Sequence, residues 1–187
     1  MIQEIIVTTQ NSMGTTHIAP MGVHIIDNDI IILPFRPSTT LDNLLTTKTA
    51  AINYCDDVRV FAGCLTGRRD WPMKPAEKII GSVLSCALAH TEVELTRIEQ
   101  DPIRPKLFCK TVHTVNHSPF QGFNRAQYSV LEAAILVSRL GRLSPEKIEA
   151  ELSYLRIGLE KTAGDRELEA WSWLMVLIEN HKSENDA

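Results

Sequence analysis

An α+β fold, mainly β, in which a barrel is followed by a C-terminal helical segment, is what this sequence predicts. From residue 2 to about residue 117 the apolar runs are short, rich in Ile, Val and Thr, and separated by turn signals, the mark of strands. Six or seven such antiparallel strands in about 115 residues leave sheet edges that a closed or partly closed barrel removes. Beyond residue 120 the apolar spacing changes to a helical period. The division expected is therefore residues 1–120 for the barrel and 121–187 for about three helices.

The elements follow in order. QEIIVTT, the turn-prone NSMG and THIAPMGVHII form a hairpin, and the DND turn at 27–29 leads into a third strand, IIIL. PFRPSTT then opens a short helix at LDNLL. AAINY and VRVFAGCL are the next strand candidates, and SCALAHTEVELTRIE and LFCKTVHTVNH are two longer ones joined by DPIRP. Apolar and polar residues alternate in TEVELTRI, as in a half-exposed strand. In the C-terminal segment, Asn124 with Gln127 resembles a capping box for YSVLEAAILVSRLG, which Gly141 terminates. Ser144 and Pro145 start the second helix, with Ile148, Leu152, Leu155 and Leu159 on one face, and Gly164 ends it. Asp165 caps the third, whose stripe is Leu168, Trp171, Leu174, Met175 and Ile178. The polar tail HKSENDA is expected to fray.

Composition excludes several classes of function. The chain of 187 residues is 44% hydrophobic and 22% charged, with a formal net charge of -4, so no basic field favours nucleic acid or an anionic membrane. The N-terminal MIQEIIVTTQ lacks the pattern of a signal peptide, and no run is long and apolar enough to span a bilayer, so a soluble cytoplasmic protein is expected. Cys55, Cys64, Cys86 and Cys109 form no C-x-x-C or C-x-x-H pair and read as buried thiols. Among the six histidines, His113 and His117 are the one close pair, with no third metal ligand in view.

PFRPSTTLDNL at 34–44 has the residue types that hold a phosphate: Arg36 for a guanidinium fork, Ser38, Thr39 and Thr40 for hydroxyls and backbone N–H groups, and Asn43 about one turn into the helix. The competing reading is that Ser38 or Thr39 simply caps a short helix. The segment alone leaves both open.

Three stretches in sequence, THIAPMGV at 16–23, PFRPSTTLDNL at 34–44 and AAINYCDDVRVFAGCLTG at 50–67, resemble the flavin-reductase-like split-barrel FMN-binding proteins. With NRAQYSVLEAAILVSRLGRL at 124–143 the likeness extends to an uncharacterised, largely archaeal branch that adds a C-terminal helical segment. The resemblance implies a split β-barrel with FMN as cofactor, its phosphate on Arg36, Ser38, Thr39 and Thr40 with Asn43 nearby. It also implies that His17, Ala19, Pro20 and Met21 line the isoalloxazine ring and that Asn53 meets the flavin or its ribityl chain. Many flavin reductases read S-x-x-K-D-T where this chain reads STTLDN, so Arg36 stands in for the lysine and the reductase subgroup is a departure. A homodimer with FMN at its interface, and a pterin-like substrate, are further implications.

The remaining candidates have two readings each. Arg125 starts a helix and either crosses a dimer interface toward the flavin or pairs with Glu132 or Glu169. Glu132 and Arg139, seven apart on one helix, are expected to pair in its interior. Arg68 and Arg69 either form a solvated turn or reach an anionic substrate or a second phosphate, and Trp71 either stacks on a ring or plugs the barrel end. Function is then a flavin-dependent oxidoreductase, a non-catalytic FMN binder or carrier, or a flavin-free interaction module. No general acid or base stands out, and no G-x-G-x-x-G fingerprint of a nucleotide domain is present.

Overall fold

A computed structural model describes residues 1–26 and 29–185. They group into two compact units, Met1–Cys55 with Trp71–Phe120, and Asp56–Asp70 with Gln121–Ala187. Segment 56–70, expected within the barrel, thus groups with the C-terminal helices.

The first unit is a closed barrel of six antiparallel strands in the order β1-β2-β3-β8-β7-β4. These are β1 (Ile2–Gln10), β2 (Thr16–Ile26), β3 (Asp29–Ile32), β4 (Thr49–Tyr54), β7 (Ala89–Glu99) and β8 (Lys106–Asn116), with α1 (Thr39–Thr47) between β3 and β4. The expected hairpin of β1 and β2 forms, with Asn11 Oδ1 accepting from the N–H groups of Met13 and Thr15. Gly14 closes its turn at φ +85°, a conformation that side chains disfavour. Most of the expected DND turn, residues 27 and 28, lies outside the described residues.

Alternation fills the barrel. Ile5 and Val7, Val23, Ile30 and Ile32, Ala50 and Ile52, Val93, and Leu107 and Cys109 point inward to one core. Leu41 and Leu44 of α1 join that core. β5 (Met73–Pro75) and β6 (Ser82–Leu84), a hairpin too short to stand out in the sequence, lies over the outside of β1 and β4. Thr8 donates to the Ser82 carbonyl at 2.6 Å, and Ala51, Ile79 and Val83 pack together. The half-exposed pattern expected of β7 therefore holds only from Glu94 onward, since His90 to Val93 are buried on both faces.

The second unit is helical. VRVFAGCL, expected as a strand, is α2 (Val58–Leu65). The alternation of VRVF suggested a pleat, but Asp57 caps the helix by accepting from the Arg59 N–H at 3.2 Å. Past the end of α2, Gly67 adopts φ +80° while Arg68 N–H returns to the Gly63 carbonyl. α3 (Arg125–Val137), α4 (Pro145–Thr162) and α5 (Asp165–Asn185) complete the unit. Asn124 and Ser144 cap as expected. Gly141 does not terminate α3: the helix stops at Val137, and Gly141 sits in a following 3-10 turn, Leu140–Arg142. Asp165 is the first residue of α5 rather than its cap, and the Gly164 N–H donates to Glu167 Oε2 at 2.9 Å. HKSEN continues α5 instead of fraying, and residues 186 and 187 lie outside the described residues.

Apolar stripes of the four helices form one core with Val58, Ala126, Val130, Ile148, Leu152, Trp171 and Leu174. Leu168, placed on the stripe of α5 from sequence, is 52% exposed. Glu132 and Arg139 form no ion pair among the described residues, because Arg139 lies exposed beyond the end of α3. Among the described residues no helix is long and apolar enough to cross a membrane.

Candidate functional site

Strand register decides which of the expected ring-lining residues share a face. On β2, His17 faces Thr9, Ala19 faces Val7 and Met21 faces Ile5, so these three stand on the inward row of the barrel. Pro20 faces Ile6 and lies on the opposite row. Met21 is half-buried and packs on the barrel core.

The strand-to-helix segment meets that row. Asn43, 5% exposed, donates from Nδ2 to Thr9 Oγ1 at 3.0 Å, and Thr9 is the cross-strand partner of His17. Ser38 caps α1, its hydroxyl accepting from the Leu41 N–H at 3.3 Å while its carbonyl accepts from Asp42 N–H. The N–H groups of Thr39 and Thr40, in the first turn, have no intrahelical acceptor by the geometry of a helix start. Thr40 is buried and Thr39 exposed. Arg36 precedes a cis peptide bond to Pro37, and its exposed guanidinium donates to Gln100 Oε1 at 2.9 Å and to the Asp101 carbonyl at 3.3 Å. Of the two competing readings, the cap at Ser38 is formed.

Asn53 has another role. It is fully buried, donating from Nδ2 to the Ile6 carbonyl and Thr8 Oγ1, both at 3.1 Å, and accepting from the Leu84 N–H at 2.8 Å. Its amide binds the β5–β6 hairpin to the barrel and has no exposed surface to offer a ligand. Arg125 is exposed at the first turn of α3, in the helical unit. Of its two expected partners, Glu169 instead pairs with Arg59 at 3.0 Å. Arg68 and Arg69 are exposed; Arg68 stacks 4.5 Å over the Trp173 ring, and Arg69 donates to the Cys64 carbonyl.

Sequence reasoning missed a second polar constellation. Glu92, with no exposed surface, accepts from the N–H groups of Glu77, Lys78 and Ile79 at 2.6, 2.7 and 2.9 Å. Burial alone would raise its pKa, but these hydrogen bonds and that from His90 outweigh burial and hold the carboxyl below its ordinary value. His90 Nε2 lies 3.2 Å from Glu92 Oε1, His90 Nδ1 lies 2.8 Å from His117 Nε2, and Lys74 Nζ lies 3.2 Å from His117 Nδ1. With Glu92 ionised, one assignment satisfies the row: Lys74 donates to His117, His117 to His90, and His90 to Glu92. Burial, then the Lys74 charge, lowers the His117 pKa and so favours the neutral ring this assignment needs. The closest histidine pair is thus His90 with His117, not His113 with His117. His113 instead meets Glu77 at 3.2 Å. Period-two spacing of His90 and Glu92 was the available signal, and reading β7 as half-exposed hid it.

Among the described residues no group of three or more His, Cys, Asp or Glu is arranged to hold a metal ion. In the helical unit a cavity of about 360 Å³ is lined by Leu65, Val137, Leu140 and Leu177, together with Ser138, Asn180, His181 and Glu184.

Two family models match the chain: the N-terminal domain of DUF447, a protein family of unknown function, over residues 3–118, and its C-terminal part over residues 124–176. Among solved structures, the FMN-bound protein MM1853 from Methanosarcina mazei, also assigned to DUF447, is 21% identical, with 94% of each chain covered and a TM-score of 0.81. The 2-nitrobenzoate 2-nitroreductase of Pseudomonas fluorescens is 20% identical over 60% of this chain and 64% of that one, with a TM-score of 0.52. A flavin reductase-like protein of Haemophilus somnus is 14% identical over 65% and 83% of the two chains, with a TM-score of 0.53. These likenesses show a shared fold. No curated protein matches the sequence.

Proposed function

Because the chain belongs to the DUF447 family, whose two segments account for most of its length, we propose that it is an FMN-binding flavoprotein that acts as an oxidoreductase. The observation that carries this reading is the end-to-end likeness to an FMN-bound member of the same family.

The residues present fit the group. A phosphate dianion needs converging donors, and the Arg36–Asn43 segment supplies the first-turn N–H groups of Thr39 and Thr40, the exposed Thr39 and the positive end of a nine-residue helix. Arg36 adds a guanidinium charge to the same segment. His17, Ala19 and Met21, on one row beside Asn43 and Thr9, supply a wall of small, apolar and hydrogen-bonding groups suited to a flat ring. When bound, FMN supplies hydride and electron transfer. This chain's residues bind the phosphate, orient the ring and shield one face from water. Pro20 and Asn53 fall outside the proposed contacts, the first by its row and the second by its burial.

The same reading includes a homodimer. Phe35 and Ile103 of the barrel unit are 54% and 63% exposed, an apolar surface that a second copy would cover. Sedimentation of the purified protein measures this directly.

Binding is tested by the visible spectrum of the purified protein, with release and identification of the chromophore. Flavin bands with FMN released support the proposal. A colourless protein that does not take up added FMN ends it. Anaerobic bleaching of the bound flavin by a nicotinamide or another donor then separates an oxidoreductase from a carrier.

A further inference from the structure

Cys55 and Cys86 belong to no role assigned above. Their Sγ atoms lie 3.6 Å apart, in van der Waals contact and not bonded, and both residues are partly exposed. Cys55 follows β4 and is the last residue of the first segment of the barrel unit; Cys86 follows β6. Hydrogen bonds tie both flanks of Cys86 to the two residues that precede Cys55. Leu88 N–H donates to the Tyr54 carbonyl at 2.8 Å, and Leu84 N–H to Asn53 Oδ1 at 2.8 Å. Loop closure between positions 31 apart in sequence is therefore already accomplished by the fold, so bonding the sulfurs requires an approach of only about 1.5 Å.

We propose that Cys55 and Cys86 are a dithiol site that small-molecule disulfides oxidise reversibly to an intrachain disulfide. In the first step the thiolate of one cysteine attacks a sulfur of the small disulfide, forming a mixed disulfide and releasing one thiolate. In the second, the neighbouring cysteine thiolate attacks the protein sulfur of that mixed disulfide, forming the Cys55–Cys86 bond and expelling the second thiolate. The protein gives up two electrons, the small disulfide gains them, and the two protons pass to the released thiolates. The other two thiols do not compete. Cys64 and Cys109 are buried, and burial pushes their pKa values up to about 11 and about 12, so neither presents thiolate at neutral pH. Oxidation covalently closes segment 56–85.

The oxidant in these steps is the small disulfide, and the site is tested on the full chain. The reduced protein is incubated with oxidised glutathione, quenched with acid, denatured, and read by thiol titration, intact mass and peptide mapping. The expected result is a fall from the four thiols of the sequence to two. A single Cys55–Cys86 linked peptide and full recovery with dithiothreitol are expected with it. Cys86→Ser should stop at a stable glutathione adduct on Cys55, which tests the second step without bearing on the wild-type result. Four surviving thiols, a stable mixed disulfide in the wild-type protein, or a link between two chains would overturn the proposal.

Discussion

Replacing Glu92 with Gln keeps the shape of the side chain and removes its charge, at a position where every oxygen is in use. Oε2 accepts from Lys78 and Ile79 N–H, and Oε1 from Glu77 N–H and His90 Nε2. Whichever way the new amide turns, its NH2 group faces two donors, and two hydrogen bonds to a charged acceptor are lost. Such bonds contribute about 1.5–3 kcal/mol each, and relaxation of the 76–81 segment recovers part, so a loss of about 3 kcal/mol is expected. That corresponds to roughly a 100-fold rise in local opening, read as faster hydrogen exchange at the amides of residues 77–79. The pH dependence provides a second check. Because the folded-state pKa of Glu92 lies below the ordinary 4.5, its stabilisation is fully present above about pH 4.5 and is lost as pH falls through the folded-state value. The Gln variant should lack that acid-side loss. Unchanged exchange at 77–79, or an identical acid slope in both proteins, would refute the clasp.

Arg36→Ala should weaken FMN binding by about 10-fold or more while leaving riboflavin nearly unaffected, since only the phosphate calls on a guanidinium; equal loss for both, measured by fluorescence titration, would count against the phosphate segment. Gly158→Ala should destabilise the helical unit by about 1–2 kcal/mol in urea unfolding, because the added Cβ would meet Ser129 Oγ at 2.5 Å and the Arg125 carbonyl at 3.1 Å. Adding Ser129→Ala should recover only part, as the carbonyl remains. Asn53→Leu should cost about 2–4 kcal/mol by stranding the Leu84 N–H and the Ile6 carbonyl, with a smaller change in FMN affinity than Arg36→Ala gives.

The readable parts of the fold were those set by neighbours in sequence. The β1–β2 hairpin, the Ser38, Asn124 and Ser144 caps and the stripe of α4 each depend on residues within a turn or two of one another. Errors arose where a distant segment decided the outcome. VRVF alternates like a strand, and only Asp57 and the core it joins with α3 and α5 make it a helix. β7 looked half-exposed because residues 76–84, which cover its first half, are held there by Glu92 itself. The candidate site divides the same way. Ser38 to Asn43 follow from local order, whereas the partners of Arg36 at Gln100 and Asp101, and of Asn53 at Leu84, lie tens of residues away.

The grouping of Asp56–Asp70 with Gln121–Ala187 bears on how the gene can be divided and how the chain emerges from the ribosome. A cut at residue 120, where the sequence changes period, leaves the N-terminal product carrying α2 with Val58 and Ala62 bare of the helices they pack on. The C-terminal product, in turn, lacks one wall of its core. During synthesis α2 is made early and must wait, apolar face uncovered, until the helices of residues 121–187 have been translated. Heat-shock chaperones that hold such faces are therefore expected to raise the folded yield of the chain.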